Sequence, residues 1–156
     1  MKNNITKILV SMALACSLLL SGCSREITMS VDQIGSELKS EIDTKNMEVG
    51  TDKSLRRYFG INANDLDGYV LYVPKSNMDV DELLIAKVKD ESMIDSVEES
   101  IEDRVNRQLE SFNGYGVQQT ALLENYELKI NGKYIFYTVG ENAEQVKEAY
   151  TKIIKK

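Results

Sequence analysis

The sequence predicts an α+β domain: a four-stranded antiparallel sheet from two hairpin-helix units (ββαββα), preceded by one or two N-terminal helices. Three observations carry this reading. Residues 68–74 and 83–88 are apolar, strand-like runs joined by a polar loop too short for a crossover, so they pair antiparallel. Residues 126–130 and 133–137 alternate around Asn131-Gly132, a dipeptide that favours a type I′ hairpin. After each pair comes a segment with apolar residues at helical spacing.

The elements follow in order. Ser30-Val31-Asp32-Gln33 is a capping-box start, and Val31, Ile34, Leu38 and Ile42 then recur at helical spacing. Gly35 either weakens this helix or lets a neighbour approach. Thr51 can cap a second, short helix whose apolar side is Leu55, Tyr58 and Phe59, with Gly60 in the left-handed position beyond its end. Pro74, the only proline, sits where the first strand should stop. The longest helix spans 92–112, with Val97, Ile101, Val105 and Leu109 four apart and Asp103 and Arg107 paired on the outer face. A short turn or helix follows near 118–124. Across the predicted turn Tyr126, Leu128 and Ile130 fall opposite Tyr137, Ile135 and Lys133. The last helix runs over 142–155, acidic at its start and basic at its end, with Val146, Tyr150 and Ile153 on its buried side. Helices on one face of the sheet would bury these stripes.

Ahead of the domain, Lys2 and Lys7 precede a mostly apolar run, 8–20, which ends in Leu20-Ser21-Gly22-Cys23. This is the layout of a signal peptide. The run is shorter than the ~20 apolar residues a spanning helix needs. The last four residues resemble the bacterial lipobox at every position. That resemblance implies cleavage between Gly22 and Cys23 and a diacylglyceryl thioether on Cys23. The predicted organisation is a lipoprotein signal peptide over 1–22, a lipidated cysteine and short tether over 23–29, and a single α+β domain over 30–156. The expected location is the outer face of the cytoplasmic membrane, with the lipid as anchor.

Composition removes several kinds of chemistry. Two of the 19 basic side chains and none of the 25 acidic ones lie in the first 22 residues, so the remainder carries 17 against 25, a balance of −8. That argues against nucleic acid, whose phosphates need Lys/Arg clusters. There is no histidine, and the two cysteines are Cys16 in the leader and Cys23. The common general base, the common metal ligands and a thiol nucleophile are therefore missing from the domain. No cofactor is expected.

From Tyr58 onward the chain resembles small lipoproteins from Gram-positive bacteria that carry domain of unknown function 4358. The stretches that carry the resemblance are Tyr58-Phe59-Gly60-Ile61, Gly68-Tyr69-Val70-Leu71-Tyr72, the run from Asn77-Met78-Asp79 to Leu83-Leu84-Ile85, and the Gly132-Lys133-Tyr134 turn. The resemblance implies the address and the domain type, and supplies no catalytic or binding residues.

The remaining candidates are weak as chemistry. Asp65, Asp67, Asp79, Asp81 and Glu82 invite a calcium reading, but aligning Gly68 with an EF-hand glycine puts Ala63 at the first ligand position and Pro74 at the twelfth. Turn chemistry explains these acids more simply. Paired carboxylates could hydrolyse a glycoside, but among 25 acids some proximity is inevitable. Of the eight tyrosines, Tyr69 and Tyr72 lie on opposite faces of one strand and Tyr134 and Tyr137 of another, so one of each pair could face outward to a partner, though sheet packing is the simpler reading. Met78 is either a contact tip or a residue folded back onto the core, and the second is the simpler reading. The candidate interaction surface is Tyr72, Asn77, Met78 and Asp79. The reading that results is a non-enzymatic binding module, with another envelope protein or a cell-wall component as partner. The alternatives are a small ligand-binding lipoprotein serving a transporter and a carboxylate-based hydrolase.

Overall fold

The computed structural model describes residues 27–156. The leader, the Gly22-Cys23 bond and the lipid site on Cys23 lie outside the described residues. No helix among the described residues is long and apolar enough to cross a membrane.

The element order is α1 (Val31–Leu38), β1 (Met47–Val49), α2 (Asp52–Phe59), β2 (Leu66–Pro74), β3 (Glu82–Val88), α3 (Ile94–Phe112), α4 (Val117–Glu124), β4 (Glu127–Asn131), β5 (Tyr134–Val139) and α5 (Ala143–Ile153), with short 3-10 turns before β2 and α3. The sheet has five strands in the order β1-β2-β3-β5-β4, and every neighbouring pair is antiparallel. This corrects the four-stranded expectation. The added strand, β1, pairs Met47 with Pro74 and Val49 with Tyr72. Three residues are too short to show a period of two, which is why the sequence hides it. Two helices separate β3 from β4, the second where a short turn or helix is expected, and they carry the chain to the far edge before β5 returns between β3 and β4.

The expected single covered face is also corrected, because helices pack on both. One face presents Leu71, Leu84, Ala86, Ile135 and Tyr137 to α2, α3 and α4. The other presents Leu83, Ile85, Tyr134 and Phe136 to α1 and α5. The physical reason is visible in the central strands. β5 is buried at all six positions and β3 at all but Lys87, as a strand covered on both sides must be.

Local signals mostly hold. Ser30 and Gln33 form the capping box, Thr51 caps α2, and Gly60 ends it at φ 71°. Gly35 serves close approach: a Cβ there would stand 2.8 Å from Val70 Cγ2, so its absence lets α1 settle on β2. The hairpin departs from expectation. Asn131 pairs with Tyr134, so Gly132 and Lys133 are the two loop residues, and only Gly132 has positive φ, at 55°. That is the φ pattern of a type II′ turn, not I′. Leu128 therefore faces Tyr137, and Ile130 faces Ile135. Arg107 leaves its expected partner Asp103 and donates to the Tyr58 carbonyl at 2.8 Å.

Candidate functional site

β2 ends, β3 begins and β5 ends at the same end of the sheet, which gathers the 75–81 loop, the segment before β1, the start of α4 and the β5–α5 turn. The loop is held by short-range bonds. The Met78 amide donates to Ser76 Oγ at 3.1 Å, and the Asp79 amide to the Ser76 carbonyl at 3.1 Å. Gln119 Nε2 on α4 donates to the Met78 carbonyl at 3.1 Å, which fixes the loop against the helix.

Behind the loop lies a buried charge network. Glu82 opens β3 facing α3 and is fully buried. Arg104, on α3, donates to Glu82 Oε1 through Nε at 3.1 Å and Nη2 at 2.6 Å. The Tyr137 hydroxyl donates to Glu82 Oε2 at 3.2 Å. Tyr58 lies under the guanidinium, 4.7 Å from ring centroid to Cζ. Burial pushes the Glu82 carboxyl above its usual range, while Arg104 and Tyr137 pull it back. Both carboxylate oxygens are engaged, so this acid braces β3, β5 and α3 together and is not exposed for chemistry.

Two cavities flank the loop, and Asp79 borders both. One, of about 310 Å³, is lined by Tyr58, Asn77, Asp79, Arg104, Gln108 and Tyr115. Gln108 is 6 % exposed, and its Oε1 has no hydrogen-bond partner among the described residues. A buried acceptor without a donor costs free energy on the order of 1–3 kcal/mol. The other cavity, of about 340 Å³, is polar and lies beside Met78, Asp81, Gln118, Gln119 and Glu141. Asp81 is half-buried there, and its carboxyl is raised, first by desolvation and then by Asp79, Glu141 and Asp43, against a lowering bond from its own backbone. No group of three or more acids among the described residues is arranged to hold a metal ion.

The proposed surface residues divide. Asn77, Met78 and Asp79 stand together on the loop. Met78 is 57 % exposed, so it is a tip and not a residue folded back onto the core. Tyr72 does not join them: it packs half-buried on the α1 and α5 face, two residues short of the strand end. Sheet packing, the simpler reading of the paired tyrosines, holds at Tyr134 and Tyr137, which are both buried between covered faces. The exposed aromatic is Tyr115, on the turn before α4. Sequence reasoning missed Arg104 and Gln108. The available signal was a glutamine three residues after Val105 and four before Phe112, which is the helical stripe itself.

A family model described as "Domain of unknown function (DUF4358)" matches residues 40–140, which takes in the whole sheet and α2 to α4 and stops short of α1 and α5. Comparison with curated proteins and with solved structures gave no match.

Proposed function

The chain belongs to the family of domain of unknown function 4358, and we propose that it is a non-enzymatic binding module, held on the outer face of the cytoplasmic membrane by lipid on Cys23 and engaging a partner protein or wall component through the 75–81 loop. One observation carries the reading. Of the four large hydrophobic residues exposed among the described residues, three, Met78, Tyr115 and Val117, belong to the loop and to the start of α4 that Gln119 ties to it. Apolar groups clustered in solvent are the mark of an interface. The fourth, Val49, lies on the edge strand β1.

A second reading is favoured by the cavity beside Tyr58, Arg104 and Gln108. A cavity of about 310 Å³ lies at the lower end of the range for small-molecule sites, and aromatic walls from Tyr58 and Tyr115 with a few polar groups suit a small polar ligand. A lipoprotein that passes such a ligand to a transporter would use this cavity and not the exposed tip.

The test places a photo-crosslinking residue at Met78, at Tyr115 or, as a control, at Val49 in the full chain in intact cells. The reading expects one discrete adduct shared by positions 78 and 115 and missing at 49. Adducts equal at all three positions, or none, would refute the interface. Loss of the adduct in a Gln108→Leu variant would shift the assignment to the cavity.

A further inference from the structure

The opposite end of the sheet carries a different charge. There, a cavity of about 550 Å³ opens between the β4–β5 hairpin, the end of β3 and the end of α5. Four lysines line it, Lys87, Lys129, Lys133 and Lys155, against two acids, Asp67 and Glu91. Ile27, the first described residue, lines it too. The first described residues are held at this end, because the Tyr134 hydroxyl donates to the Met29 carbonyl at 2.6 Å. The far cavity beside Met78 has the reverse balance, with Asp43, Asp79, Asp81 and Glu141 against Lys45.

We propose that the lysine-lined end is a contact surface for anionic phospholipid headgroups, and that it holds the domain with its 75–81 loop turned away from the membrane. The inference rests on lipid at Cys23. Four residue steps separate Cys23 from Ile27, and they span at most about 14 Å. A domain so tethered keeps this end within reach of the headgroups. The overall balance of −8 does not oppose the contact. Seven residues of β3 set the two ends about 23 Å apart, roughly three screening lengths at physiological salt. The bilayer therefore feels the local charge, not the net one.

The lysines suit the task. Lys87 lies over the Tyr134 ring with Nζ 5.2 Å from its centroid, and it pairs only loosely with Asp67, at 3.9 Å. Lys129 Nζ donates to Thr151 Oγ1 at 3.0 Å, and Lys133 Nζ to the Lys89 carbonyl at 2.8 Å, while the Asp90 carboxyl is also near enough to feel the Lys133 charge. Each lysine near an anionic surface is worth roughly a fivefold preference, so the excess of one that remains when Asp67, Glu91 and Asp90 are set against the four lysines gives an orientational preference of about fivefold.

The experiment uses the full lipidated chain with one introduced cysteine, Ser92→Cys at the lysine end or Asn77→Cys at the loop end. Each is labelled with a fluorophore and bound to vesicles that carry a headgroup quencher. Flotation reads attachment, and quenching reads orientation. With phosphatidylglycerol present, the label at 92 should be quenched several-fold more than the label at 77. That excess should shrink in phosphatidylcholine alone, at high salt, or when the four lysines become glutamine, while flotation is unchanged. The lipid and salt comparisons need no lysine variant and so stand even if that variant folds poorly. Equal quenching of both labels, or an excess indifferent to phosphatidylglycerol, overturns the contact. Failure to float from phosphatidylcholine vesicles is a separate result, and it overturns the anchor on which the orientation rests.

Discussion

Tyr150 and Asp81 are each held in the fold at a cost. The Tyr150 ring stacks on Phe136 with centroids 4.5 Å apart, and its buried hydroxyl has no partner among the described residues. Burial raises that phenol far above its usual range. Tyr150→Phe keeps the ring and removes the unsatisfied group, so it should leave stability equal or raise it by up to about 1 kcal/mol. Denaturant midpoints of the two proteins check this, and a clear loss would show that the hydroxyl is bonded. At Asp81 the raised carboxyl means the folded chain binds a proton more tightly than the unfolded one. Its contribution is therefore most favourable below 3.8 and is lost as pH rises through the higher folded value. Asp81→Asn should raise the melting temperature near pH 7 and change it little at about pH 3; the reverse pattern would mean the carboxylate is stabilised in its charged form. Neither feature was legible in the sequence. Both depend on what packs around one atom, and the sequence reports only residue type. Met78 was legible as a loop residue, but its exposure was not.

At the scale of elements the sequence was most informative where a local rule acts alone. Thr51, Gly60 and the Ser30 capping box set helix ends without help from tertiary packing, and each is found where expected. The hairpin shows the limit of such rules. Asn131-Gly132 promised a loop at those two residues, yet the loop is Gly132-Lys133. The slip sets Leu128 against Tyr137 and seats Tyr126 against the same ring, at 6.0 Å between centroids. Face assignment survived because each β4 residue still meets a partner of its own face. Gly132 at φ 55° has left-handed backbone, while Asn131 does not. Gly132→Val should therefore cost about 1 kcal/mol or more, and Asn131→Thr much less. Urea denaturation of both variants measures the difference. Equal effects would contradict the turn described here. The β3 and β5 runs were read correctly as strands. Their consecutive apolar residues, Leu83 to Ala86 and Tyr134 to Tyr137, were the overlooked sign that both faces are covered.

For the whole molecule, the α+β class and the antiparallel pairing were legible, while strand order and the two-faced cover were not. A pattern of periods says which side of each element is buried, not which neighbour buries it. The helices α1 and α5 share one face although most of the chain lies between them. Charge was likewise legible only as a total. Its separation into a lysine-lined end and an acidic loop end appears once the strands are aligned. In the proposed arrangement lipid sits on Cys23, the lysines lie beside it and the exposed Met78 and Tyr115 stand at the other end. All of it depends on the anchor. The direct measurement is uptake of labelled palmitate by the full chain expressed in a bacterium with lipoprotein processing, beside a Cys23→Ala variant. The account predicts that the unaltered chain is labelled and shortened to begin at Cys23, and that Cys23→Ala stays at precursor length without label. Equal labelling of the two chains, or no label on either, would contradict it.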